Sequence, residues 1–147
     1  GYPQTVDVLE ERHAQSLVQD LCPFPLRLSS AFELLAVAQY NSCHYCLSAH
    51  TLLGKGAGLS PAVIRAARQG KGESAIDNAI ATLALRIVET RGQVSDADLS
   101  EARLAGLDDA RIVEIVGNVA HNVLTNFMNN VAQTKIDFPV VDVAIAA

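Results

Sequence analysis

The residues best suited to chemistry lie in one short run, Asn41-Ser42-Cys43-His44-Tyr45-Cys46-Leu47-Ser48-Ala49-His50. On a helix, at about 100° per residue, Cys46 and His50 fall about 300° and about 340° from Cys43, so the three share one face. The nucleophile in thiol chemistry is the thiolate, and the start of a helix favours it through unpaired N–H groups and the helix dipole. His50, one turn beyond Cys46, can accept or relay the proton. A peroxide would convert one thiol to a sulfenic acid, and a second thiol three residues away would condense with it to a disulfide. Such a cycle needs no cofactor. Two other readings of the same residues stay open. C-x2-C-x3-H is also a zinc-ligand spacing, although it needs a fourth ligand and no second close pair supplies one. Small cysteines and a histidine on an apolar helix can also be ordinary core residues.

Around this run, Tyr45 could offer its phenol to the site, with packing as the other use of its ring. His44, at about 100°, points away from the thiol face and is expected to be solvated. Cys22 has no close partner and reads as packing, and His13 stands among polar neighbours.

The elements that must position these groups are helical. The chain has 147 residues, of which 50% are hydrophobic and 18% charged, with 22 Ala, no Trp and few alternating β-branched runs. That balance excludes a disordered tail and favours an all-α domain. A net charge of −5 with scattered basic residues argues against nucleic-acid binding. No apolar run is long enough to span a membrane and the first residues lack signal-peptide character, so a cytoplasmic protein is expected.

Six to seven helices follow from caps and periodicity. Residues 1–28 read as an N-terminal helix, capped by Asp7 and carrying Ala14, Leu17, Val18 and Leu21, with a linker through Cys22-Pro23-Phe24-Pro25. Residues 29–139 form the core of a single domain. Ser29 or Ser30 caps a helix that stops near Asn41-Ser42, and the Cys43 helix runs to the Gly54–Gly58 region. Ser60-Pro61 opens a short helix, and a long one spans Ser74 to Thr90. Ser95 and Asp98 form a capping box, with Val94 stapled to Leu99. Asp108 or Asp109 starts the last helix, whose apolar residues cover most of its circumference and make it the expected most buried element. Its polar residues Glu114, Asn118, His121, Asn122, Thr125 and Asn129 fall on one narrow stripe, suited to a site, a subunit contact or an internal polar seam. Residues 140–147 read as a tail that packs on a neighbour or frays.

The run Cys43 to His50 resembles the signature of the alkylhydroperoxidase AhpD-like group of the carboxymuconolactone decarboxylase family. The likeness continues through Val94–Leu99, Ala105-Gly106, Ile112–Ile115 and Thr125–Phe127 to Ile136-Asp137-Phe138-Pro139. It implies an all-α fold in homotrimers or homohexamers, and thiol-dependent reduction of a hydroperoxide or a disulfide, with an external thiol as reductant and no metal. Carried over by position, Cys46 meets peroxide, Cys43 is its disulfide partner and His50 belongs to the proton relay. Two positions depart from the pattern. The glutamate expected twelve residues before the first cysteine is Ala31, with Glu33 two residues on, rotated by about 200° on a helix. Tyr45 stands where histidine is common. Glu33 is therefore a candidate relay group that cannot simply take the place of the missing carboxylate, with a surface residue as its other reading. Lactone-acid decarboxylation, the family's other branch, does not need two cysteines at this spacing, and a non-catalytic helical oligomer is the alternative outside enzyme chemistry.

Overall fold

A computed structural model describes residues 30–144. The expected helix over 7–21, Cys22 and His13 lie outside them. Among the described residues there are six helices and no strand: α1 Ser30–Tyr40, α2 His44–Gly56, α3 Pro61–Arg68, α4 Ala75–Thr90, α5 Asp96–Leu104 and α6 Asp109–Ala132. The all-α expectation holds. No helix among the described residues is long and apolar enough to cross a membrane.

Local chemistry sets the boundaries. The side chains of Ser60, Ser74, Ser95 and Asp108 each accept the backbone N–H three residues on, satisfying one of the donors that every helix start leaves open. The Ser95–Asp98 capping box is complete, with Asp98 accepting from the Ser95 N–H and hydroxyl at 2.9 and 2.6 Å. Gly70 ends the α3 turn at φ +73, and Gly72 lies so close to the Asp77 backbone that a Cβ would meet it at 2.2 Å. Only glycine fits there without a backbone shift.

Helix α1 is apolar almost all round, as a buried helix should be, and packs against α2, α3, α4 and α6. Phe32, Leu35 and Ala38 join a cluster with Cys43, Cys46 and Leu47 of the α2 region and Val63, Ile64 and Ala67 of α3. Val37 faces the other way, into a second cluster with Ile80, Leu83 and Ala84 of α4, Ala102 of α5, and Ile112 and Ile115 of α6. The site therefore hangs from the central helix through one tight turn. In it, Ser42 adopts φ 52 and the Cys43 N–H donates to the Ala38 carbonyl at 3.0 Å.

Helix α6 departs from expectation. It is not the most buried element: Val113, Val116, Leu124, Phe127 and Val131 are exposed, Val131 to 86%. The buried side includes the amides Asn118, Asn122 and Asn126 together with Ile112, Ile115 and Val119. The amides go inside because each finds a hydrogen-bond partner there, which removes most of the cost of desolvation.

After α6 the chain crosses back over its own helices. The Val141 N–H donates to Ser48 Oγ at 2.8 Å, Gln39 to the Val143 carbonyl at 2.6 Å and Arg68 to the Asp142 carbonyl at 2.7 Å. The described part of the tail thus packs on its own chain, on α1, α2 and α3.

Candidate active site

Cys43 is the N-cap of α2, with φ −87 and ψ 96 just outside the helix, and its Sγ accepts the Cys46 backbone N–H at 3.2 Å. Cys43 and Cys46 are joined as a disulfide with Cα atoms 5.3 Å apart, inside the range that a bridge spans without backbone movement. Cys43 is fully buried and Cys46 4% exposed. The Cys46 sulfur also receives the Asn129 side-chain N–H at 3.4 Å, and Asn129 is aimed by a second bond to the Thr125 carbonyl at 2.9 Å. Each sulfur thus has an N–H donor beside the helix N-terminus, the surroundings that favour a thiolate once the disulfide is reduced. Among the described residues no three His, Cys, Asp or Glu side chains are arranged to hold a metal ion.

His50 faces α6. Burial pushes its pKa down to about 4, opposed by a hydrogen bond it donates to Asn122 and reinforced by the charge of His121. Its Nδ1 is buried without a partner. Asn122 is itself fixed: its amide N–H donates to the Leu34 carbonyl at 3.0 Å and its oxygen accepts from Asn126 at 2.8 Å. Asn126 in turn accepts from Asn41 at 3.0 Å.

Glu33 is not a surface residue. It is 1% exposed, with Oε1 accepting from Asn118 at 2.7 Å. Burial pushes its carboxyl up to about 7, against the Asn118 hydrogen bond, the attraction of Arg111 and the Ser30 hydroxyl, with Glu114 adding repulsion. Ala31, two residues back, packs instead against the cluster that holds the cysteines. The two positions face different neighbours, as their rotation around the helix requires. Asn118, the partner of Glu33, lies one α6 turn from Asn122, the partner of His50, so both groups meet one amide seam.

Tyr45 packs edge-on against Phe138, ring centroids 5.2 Å apart. With His44, Asn129, Asn130, Gln133, Thr134 and Ile136 it lines a cleft of about 260 Å³. His44 is solvent-exposed as expected. The sequence reading left the α6 asparagines without a role, yet Asn129 touches Cys46 and Asn122 touches His50. The available signal was that no Asp, Glu, Lys or Arg occurs between Glu114 and Lys135, whereas a solvated helix face normally carries charge.

Comparison with known proteins follows the same lines. Residues 34–90, from α1 to the end of α4, match the model of the carboxymuconolactone decarboxylase family. No curated protein matches the chain. Among solved structures it resembles a protein of unknown function from Agrobacterium tumefaciens, provisionally described as the antioxidant defence protein AhpD. The TM-score is 0.66 at 18% identity, covering 86% of this chain and 87% of that one. At that identity the likeness is one of fold.

Proposed function

We propose that this chain, whose residues 34–90 are of the carboxymuconolactone decarboxylase family and whose fold is AhpD-like, is a thiol-dependent hydroperoxide reductase. The observation that carries the reading is the Cys43–Cys46 disulfide at the start of α2, with the Asn129 N–H on the Cys46 sulfur. In the reduced protein the Cys46 thiolate attacks the terminal peroxide oxygen. The O–O bond breaks, the alcohol leaves with a proton and Cys46 becomes a sulfenic acid. The Cys43 thiol then displaces water to form the disulfide, and an external dithiol returns both sulfurs to thiols. Cys46 is assigned the attack because it is the less buried sulfur and receives the side-chain donor. His50 takes the Cys46 proton. Glu33, with its carboxyl near 7, holds a proton in the same seam, and Tyr45 forms a wall with Phe138.

A homo-oligomer, trimer or hexamer, belongs to this reading. The exposed face of α6 repeats Val113, Val116 and Ala120 eleven residues on as Leu124, Phe127 and Val131, an apolar stripe along a nearly straight helix.

Thiol titration with and without reductant, combined with consumption of an organic hydroperoxide, tests the chemistry. Wild type should consume peroxide with turnover. Cys46→Ser should abolish consumption, and Cys43→Ser should permit one oxidation per chain without turnover. If both variants keep the wild-type rate, the assignment is wrong.

A further inference from the structure

Three asparagines from two parts of the chain form a directed series of hydrogen bonds. Asn41 donates to Asn126 at 3.0 Å, Asn126 donates to Asn122 at 2.8 Å, and Asn122 donates to the Leu34 carbonyl at 3.0 Å. Asn122 and Asn126 are essentially inaccessible to water. A carbonyl only accepts, so the Leu34 oxygen fixes which end of the Asn122 amide faces it, and the Asn122 oxygen must then face Asn126 and His50. That oxygen carries no proton. The His50 contact therefore exists only when the facing ring nitrogen is the donor, as the bond to Asn122 requires. Nδ1 is buried and has no partner, so the donating nitrogen is Nε2. A neutral imidazole has one N–H, and holding it on Nε2 leaves Nδ1 as the bare lone pair.

We propose that Asn122 is the positioning residue of His50: held by Leu34 and Asn126, it locks the neutral imidazole in its Nε2–H tautomer and keeps Nδ1 ready to take a proton. The role of that proton rests on the peroxidatic reading above; the tautomer does not. A carboxylate in this position would orient the ring and also favour its charged form. A neutral amide orients it without adding charge, so His50 stays a base at neutral pH. Of the titratable groups around it, His121 faces the ring from α6, Cys46 lies one turn back on α2, and Glu33 of α1 meets the seam through Asn118.

The test is long-range proton–nitrogen correlation NMR of the imidazoles in the full chain, assigned with His50→Gln and recorded with the disulfide intact. The expected result at pH 7 is a single Nε2–H tautomer for His50. In Asn122→Asp, which keeps an oxygen acceptor and adds charge, the His50 titration midpoint should rise by about one pH unit or more. A predominant Nδ1–H tautomer in wild type overturns the proposal, and so does an unmoved midpoint in a folded Asn122→Asp. The wild-type measurement needs no variant to fold, and neither readout involves peroxide. A negative result in the peroxide assay would therefore leave the tautomer question standing on its own data.

Discussion

Replacing Glu33 with glutamine should expose a pH dependence of stability that the wild-type chain conceals. The Glu33 carboxyl is raised from 4.5 to about 7 in the fold. Between those values the folded chain holds a proton that the unfolded chain releases. Glu33 thus costs nothing below pH 4.5, and stability is lost as pH rises through 7. His50 is lowered from 6.5 to about 4, so its part runs in the opposite sense: full stability above 6.5, lost as pH falls toward 4. Each span corresponds to about 3 kcal/mol. Between pH 4.5 and 6.5 the two slopes oppose one another, and together they leave a nearly flat profile. In Glu33→Gln the acid-side slope remains alone, about 1.4 kcal/mol per pH unit. Glutamine keeps the oxygen that accepts from Asn118, but it places an amide where Oε2 has no partner, a constant offset of about 1–3 kcal/mol. The decisive quantity is therefore the change of the difference with pH. Denaturant unfolding at fixed protein concentration, from pH 4 to 8, should show Glu33→Gln gaining about 3 kcal/mol on wild type across that range. A difference that stays constant with pH would refute the buried, proton-holding Glu33.

Further predictions concern the surroundings of the disulfide. Asn129→Leu removes the side-chain donor from Cys46 and should raise the midpoint for alkylation of the reduced thiol by about one pH unit, slowing hydroperoxide oxidation about tenfold at pH 7; an unchanged alkylation profile would count against the thiolate contact. Ser48→Ala leaves the Val141 N–H without its acceptor and should cost about 1–2 kcal/mol, with faster amide exchange at Val141 and Val143 than elsewhere. Leu124→Glu combined with Phe127→Glu places charge on the exposed α6 face and should yield a monomer in sedimentation, whereas an unaltered assembly would show that this face is not the contact.

What the sequence revealed about this fold was its local chemistry. Ser60 before Pro61, Ser74, Ser95 with Asp98, and Asp108 all cap the helices expected of them, because a cap is decided by residues three apart. The thiol face was legible for the same reason, with the refinement that Cys43 is the cap of its helix and not its first residue. Glu33 was not legible. A helical wheel gives its direction but not the Asn118 side chain that waits there from 85 residues away. The path of the tail was hidden too, since nothing near Val141 in sequence identifies Ser48 as its acceptor.

Helix α6 shows why patterning alone misjudged burial. Its apolar residues point outward and its amides inward, a reversal that a monomer tolerates poorly and that covering the outer face with other copies would relieve. The two faces are rigidly coupled, because each residue along the helix is fixed at about 100° from the next. Any contact that holds Leu124 and Phe127 also fixes the directions of Asn122, Asn126 and Asn129, and with them the hydrogen bonds to His50 and Cys46. In an oligomer built on this face, association and the alignment of the redox pair would therefore be linked, and dissociation should loosen the Asn129 contact before it disturbs the caps of α3, α4 and α5.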